Sequence, residues 1–215
     1  MTSADASDAA PVWAVVVAAG SGARFGGAKQ YASLAGQRVL DWSLDAARSV
    51  ADGVVVVVPA DAEAEEPKAD AVVVGGDTRS ASVRAGLAAV PTDAAVVVVH
   101  DGARPLASHA LFRSVVDAVL AGADAAIPVV AVVDTITDAH GVPVDRDALR
   151  SVQTPQAFRA AALRAVHAAR PEASDDGSLV VAGGGRLRHV HGERWNLKIT
   201  EPDDLDVAEA LLEQR

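Results

Sequence analysis

Five stretches of the chain are apolar over the length of a strand: residues 12–17, 54–58, 72–74, 95–99 and 125–130. The second is five valines closed by Pro59. An unbroken apolar run of that length suits a strand covered on both faces, as in a parallel sheet. Between these runs the spacing becomes that of a helix with one buried stripe. Val39, Leu40, Leu44 and Ala47 mark a helix over residues 39–50. Val83, Leu87 and Val90 mark one over 80–90, and residues 111–121 form a third. Strand and helix in alternation predict an α/β fold, a three-layer Rossmann-like and mostly parallel sheet with right-handed crossovers.

The remaining segments fill in around that core. Residues 34–36 read as a turn, and the charged stretch 61–70 as a surface helix or loop. From residue 132 to 152 the pattern changes. Residues 132–137 and 148–152 look like strands joined by a polar link with Gly141 and Pro143. This is an excursion from the sheet, either an arm that packs on another subunit or a plain surface hairpin. Residues 159–169 predict a helix, and Ser174 caps another that ends near Gly183. Residues 187–190 predict a last strand. Thr200-Glu-Pro-Asp203 is a capping pattern before a closing helix over 205–212. No repeat or linker divides the chain, so residues 12–215 read as one domain and residues 1–11 as a disordered tail.

Polar clusters follow the strand ends: residues 20–29, 75–82 and 101–104. Sheets of this kind bind ligands at the carboxyl ends of their strands, so the clusters point to one shared site. The first cluster is glycine-rich and carries Arg24 and Lys29. Glycine lets an anion approach the backbone, and the cations place charge where a triphosphate would lie. Lys29 is followed by Gln30, which excludes a Walker loop. Phe25 stands where a dinucleotide fingerprint needs its third glycine. The plain alternative is an ordinary βα turn with surface charges.

Composition narrows the partners. The 215 residues are 50% apolar but only 3% aromatic, so valine and alanine must fill the core. The formal net charge of −10 disfavours nucleic acid as a partner. Any anionic ligand must be held by a few local cations. With no cysteine, thiolate catalysis, disulfides and cysteine-ligated zinc are all excluded. No stretch approaches the roughly 20 apolar residues that span a bilayer, so no membrane partner is expected. The acidic N-terminus lacks the features of a signal peptide, so the expected location is the cytoplasm.

Within the later clusters, Asp101 offers a carboxylate for Mg²⁺ on phosphates and Arg104 a fork for phosphate. The plain alternative is an ion pair that ties a loop. His100 reads as a core or supporting residue. Asp77 reads by default as a helix N-cap, or else residues 75–82 read a nucleobase edge. Asp175 and Asp176 look like helix N-terminal charges, and His189 and His191 like solvent-facing side chains. Arg146, Thr154 and Lys198 say little alone. No nucleophile elbow or close carboxylate pair argues for a hydrolase.

Several motifs taken together nevertheless resemble one family. They are Ala18-Ala-Gly-Ser-Gly-Ala-Arg24, Lys29-Gln-Tyr31, Gly75-Gly-Asp-Thr-Arg79 with Ser82, and His100-Asp-Gly-Ala-Arg-Pro105. Asp134-Thr-Ile136, Gln153-Thr-Pro-Gln156 and Asn196-Leu-Lys-Ile-Thr200 follow in order. The set is similar to 2-C-methyl-D-erythritol 4-phosphate cytidylyltransferase of the non-mevalonate isoprenoid pathway and covers about residues 12–212. The resemblance implies a sheet of the nucleotidyltransferase type with a β-arm for dimerisation. It also implies transfer of CMP from CTP to methylerythritol phosphate, with Mg²⁺ and release of pyrophosphate.

By the same resemblance, Arg24 and Lys29 stabilise the charged transition state. Ala18, Ala19, Gly20 and Gly22 hold the phosphates and ribose, and Gly75, Asp77 and Ser82 bind cytosine. Arg146 and Lys198 position methylerythritol phosphate, and Asp101, Arg104, Thr135 and Thr154 line the site. Asp101 is the candidate metal ligand. The family's homodimer supplies the residue matching Arg146 from the partner's arm. The chain departs from the family at Ala28, where proline is common, and at Thr137, where lysine is usual. Gly102 replaces a usual alanine, as in related enzymes that act on ribitol 5-phosphate. Rival readings are therefore a ribitol-5-phosphate cytidylyltransferase and, from another class, a nucleotide-binding regulator without turnover.

Overall fold

The computed structural model describes residues 10–62 and 65–214. The tail reading falls mostly outside the described residues, although the Pro11 carbonyl accepts from the amides of Ala95 and Val96. Twelve strands and six α-helices are described: β1 Val12–Val17, β2 Ser33–Leu34, β3 Gln37–Arg38, α1 Val39–Arg48, β4 Gly53–Val58, β5 Ala71–Val74 and α2 Arg79–Ala89. Then come β6 Val96–Asp101, α3 His109–Leu120, β7 Ala125–Ala131, β8 Ile136–Thr137, β9 Pro143–Val144, β10 Arg150–Val152 and β11 Gln156–Arg159. The chain ends with α4 Ala160–Ala168, α5 Asp176–Ala182, β12 Leu187–His191 and α6 Asp203–Leu212.

Eight strands form the central sheet in the order β10-β7-β11-β6-β1-β4-β5, with β12 also pairing β7. The pairs β1–β4, β1–β6, β4–β5 and β7–β12 are parallel. The strands β10 and β11 run antiparallel to their neighbours. Alternate valines face opposite ways, as strand geometry requires. Ala14 and Val16 of β1 pack with Leu40 and Leu44 of α1 and Phe112 and Val115 of α3. Val15 packs on the other face with Val83 and Leu87 of α2, Leu163 of α4 and Val180 of α5. The expected three layers are present, and β4 is buried throughout.

Local expectations are met in some places and corrected in others. Residues 34–36 do turn, between β2 and β3, with Ala35 at φ 46° and Gly36 at φ 84°. Two positive φ values in succession are what a tight two-residue hairpin needs. Arg159, expected to open a helix, instead ends strand β11 over Gln156–Arg159, which is wedged between β6 and β7. The arm strands are shorter than expected. Only Ile136 and Thr137 pair, with Val144 and Pro143 of the stretch expected to be a polar link, while Arg150–Val152 pairs with β7 of the central sheet. Thr78, not Asp77, caps α2, and Asp175, not Ser174, caps α5. At α6 the Thr200 side chain caps nothing. The Asp204 carboxylate accepts from the amides of Thr200 and Glu201 instead. Of the two alternatives for residues 61–70, the described part takes the loop, with Glu66 buried against Arg38.

Candidate active site

Parallel register decides where the site lies. Val16 stands opposite His100 and Val17 opposite Asp101, so the loop after β1 and the carboxylate of β6 leave the sheet at the same edge. The amides of Ala19, Gly20 and Ser21 have no hydrogen-bond partner among the described residues. Free amides at a strand end suit an anion. Gly22, at φ 65°, turns the loop back, and its carbonyl accepts from the amides of Phe25, Gly26 and Gly27. A side chain there would collide with the Gly27 carbonyl at 1.8 Å, so Gly22 shapes the loop rather than lining the cleft.

A cleft of about 540 Å³ opens at this edge. Ala18, Ala19, Gly20, Lys29, Asp77, Ser82, Asp101 and Lys198 line it, all of them singled out by the sequence. Gly75 lies just behind. A Cβ on it would meet the Ala19 Cβ at 2.4 Å and Ser82 Oγ at 2.8 Å, so glycine lets the two loops touch. Lys29 donates to the Ile199 carbonyl at 2.6 Å. Burial pushes its ammonium pKa down, and Lys198 and Arg24 add to the effect. Arg24 itself is exposed and lies outside the cleft.

Asp101 is the electrostatic centre. Its Oδ2 accepts from Lys198 Nζ at 2.8 Å, Arg79 Nε lies 3.6 Å from Oδ1, and Arg104 Nε lies 3.7 Å from Oδ2. Burial pushes its carboxyl pKa up, but Lys198, Arg79 and Arg104 outweigh that and hold it well below the usual carboxylate range. A second cleft of about 290 Å³ shares Arg79, Asp101 and Lys198 with the first and adds Arg104 and Thr154.

The Thr154 hydroxyl is already committed. It accepts from the Asp101 amide at 3.0 Å and faces His100 Nδ1 at 3.1 Å. His100 Nε2 faces the Arg104 carbonyl at 3.2 Å, which can only accept. The histidine proton therefore sits on Nε2, and Nδ1 accepts from Thr154. Burial pushes the His100 pKa down to about 4, so the ring is neutral. Thr154 and His100 thus brace Asp101 and Arg104 from behind.

The two remaining sequence candidates lie elsewhere. Thr135 and Arg146 are exposed on the arm, line neither cleft, and Arg146 donates to the Val133 carbonyl. For a divalent cation, the first cleft offers the carboxylates of Asp77 and Asp101, the latter ringed by cations. No cluster of three or more potential metal ligands occurs among the described residues. That donor set fits a cation held mainly by substrate phosphates and water, with Asp101 the nearest buried carboxylate.

Residues 12–214 match the family model for 2-C-methyl-D-erythritol 4-phosphate cytidylyltransferase. The chain belongs to this family. A cytidylyltransferase of that name from Nocardia farcinica is 43% identical, with 98% of each chain aligned. A bifunctional enzyme IspD/IspF from Dinoroseobacter shibae is also 43% identical over 95% of this chain, which spans 54% of that protein. Among solved structures, the cytidylyltransferase from Thermus thermophilus superposes with a TM-score of 0.82 at 39% identity. That match covers 93% of this chain and 98% of the other.

Within this cytidylyltransferase, several cleft residues have no individual role from the sequence, three polar ones among them. Gln30 lines the first cleft and is buried, Arg79 lines both clefts, and Gln153 lines the second. Arg79 closes the motif Gly75-Gly-Asp-Thr-Arg79, and that position is the available signal. Gly102, a departure from the family, faces away from both clefts. A Cβ on it would meet Leu40 Cδ1 at 3.0 Å and the Ala18 Cβ at 3.2 Å. The glycine is thus a packing adjustment behind the loop, and it carries no argument for ribitol 5-phosphate.

Proposed function

We infer that this chain transfers a cytidylyl group from CTP to 2-C-methyl-D-erythritol 4-phosphate for isoprenoid biosynthesis. A phosphate oxygen of the acceptor attacks the α-phosphorus in line, a new P–O–P bond forms, and pyrophosphate leaves with the electrons of the broken bond. The observation that carries this reading is the meeting of Lys29 and Lys198 with free loop amides at one cleft in a chain of net charge −10. Local cations there oppose an unfavourable global field where the transition state gathers negative charge.

The loop at Ala18–Gly20 takes the triphosphate, and Gly75, Asp77 and Ser82 frame the cytosine side. Lys29 and Arg24 offset charge on the reacting phosphates, with Arg24 swinging in from its exposed position. Lys198 and Arg104, held by Asp101, receive the acceptor phosphate beside the second cleft. Mg²⁺ bound to the triphosphate would neutralise charge on the nucleotide and the leaving pyrophosphate, with Asp101 nearest to it.

The reading includes a homodimer in the cytoplasm. Val133, Val142 and Val144 are exposed on the arm, and Arg146 lies off its own chain's clefts. Both facts suit an arm that completes the site of a second copy. Among the described residues no helix is long and apolar enough to cross a membrane.

Pyrophosphate release with CTP and Mg²⁺ tests the reading. Methylerythritol 4-phosphate is expected to support it and ribitol 5-phosphate to do so far more slowly. The reverse preference would move the protein to the ribitol reading, and CTP binding without release would favour the regulator.

A further inference from the structure

Asp176 opens α5 and is completely buried, yet the chemistry above does not use it. Its Oδ2 accepts from Arg79 Nη1 at 2.7 Å, and its Oδ1 accepts from His167 Nε2 at 2.9 Å. His167, on α4, is buried too, and its Nδ1 has no partner among the described residues. A proton on Nδ1 would be a buried orphan donor, so the ring carries its proton on Nε2 and donates it to Asp176. The result is a continuous line of groups, His167–Asp176–Arg79–Asp101–Lys198, that starts in the core and ends in the cleft.

A carboxylate used only to stabilise the fold could face any cation. This one faces a cation that lines both clefts. The Arg79 side chain makes that single hydrogen bond among the described residues, and its Nε stops 3.6 Å from Asp101. Asp176 therefore competes with Asp101 for the guanidinium. Asp101 keeps its short contact with Lys198, and the other N–H groups of Arg79 remain unspent at the junction of the clefts.

We propose that Asp176 and His167 are positioning residues that hold Arg79 off Asp101, leaving its free donors for phosphate where the two substrates meet. This rests on the functional reading above. Loss of Asp176 would release Arg79 onto Asp101 and displace Lys198. Loss of the His167 donor would loosen Asp176 and do the same in milder form.

The test is a set of double-mutant cycles. Asp176→Asn, His167→Leu and His167→Gln are made alone and in an Arg79→Met background, and kcat/KM is measured for both substrates alongside CTP binding by calorimetry. Asp176→Asn should lower kcat/KM about tenfold or more, as expected for loss of a charge-assisted hydrogen bond, and His167→Leu about fivefold. His167→Gln keeps an amide donor near the Nε2 position and should stay within about twofold of the unaltered protein. In the Arg79→Met background none should cost more than about twofold further, because the residues act through Arg79. Losses that persist in that background, or a folded His167→Leu with unchanged kcat/KM, would overturn the proposal. Should Asp176→Asn fail to fold, the His167 pair carries the same comparison. An unaltered protein that binds CTP but turns over neither acceptor would refute the functional reading instead, and CTP affinity across the same cycles would still judge the positioning proposal.

Discussion

Lys29 and Ile199 are 170 residues apart, and the Lys29 ammonium donates to the Ile199 carbonyl at 2.6 Å. The bond ties the loop after β1 to the segment that carries Lys198. It also leaves two ammonium groups in one partly buried place, so that burial first and the neighbouring Lys198 second lower the Lys29 pKa. An ammonium held by one carbonyl is primed to exchange it for a more negative oxygen. On this account Lys29→Ala lowers turnover at least ~100-fold while CTP affinity falls far less, as for loss of a transition-state contact. Steady-state kinetics with calorimetric binding checks it, and equal losses in both would refute the role.

His100 gives a pH signature. Its folded pKa, about 4, lies below the ordinary histidine value of 6.5. The unfolded chain therefore binds the proton first as pH falls. The stability this residue contributes is full above about pH 6.5 and is lost on descent towards pH 4, a change of about 3 kcal/mol. Denaturant titrations at about pH 7 and pH 4.5 read the loss. Proton NMR should show the His100 ring neutral at about pH 5.5, and a ring that titrates near its ordinary value would contradict its burial against Thr154.

Two glycine substitutions separate packing from specificity. Gly75→Ala would push Ala19 and Ser82 apart, because the new methyl meets both well inside contact distance. It is expected to weaken CTP binding about tenfold or more, the scale of effect that a badly placed site group produces. Gly102→Ala meets the flexible end of Leu40 and costs stability of about 1 kcal/mol, with no change in the ratio of the two alcohol phosphates. A shift in that ratio would restore Gly102 as a specificity residue.

Arg146→Ala should chiefly raise KM for methylerythritol phosphate. If the arm serves a second copy, mixing inactive Lys29→Ala with Arg146→Ala and allowing subunits to exchange regenerates intact sites, read at methylerythritol phosphate far below the raised KM, where Arg146→Ala alone is nearly silent. Half the dimers are then mixed, each with one good site, so about a quarter of the native activity returns. No recovery after confirmed exchange would place Arg146 in its own chain's site or in none.

The layered sheet is legible because the valine runs of β4 and β6 are buried on both faces, which leaves strand length and crossover spacing plain in the sequence. Strand β11 is not legible. Gln156–Arg159 is short and has polar ends, and it is a strand only because β6 and β7 flank it. The cleft residues are readable from the strand ends and, as a set, from family resemblance. Asp176 reads as a helix-terminal charge because its partner Arg79 lies 97 residues earlier, on another helix. Thr154 is recognisable, but its hydroxyl faces inward to Asp101 and His100, a direction no sequence pattern encodes.

The most direct measurement follows the product itself. Phosphorus NMR of the protein with CTP, Mg²⁺ and methylerythritol 4-phosphate should show the two coupled resonances of a diphosphodiester. They should grow at the rate at which pyrophosphate appears. Pyrophosphate accompanied only by CMP, with the alcohol phosphate unchanged, would show hydrolysis in place of transfer and contradict the account.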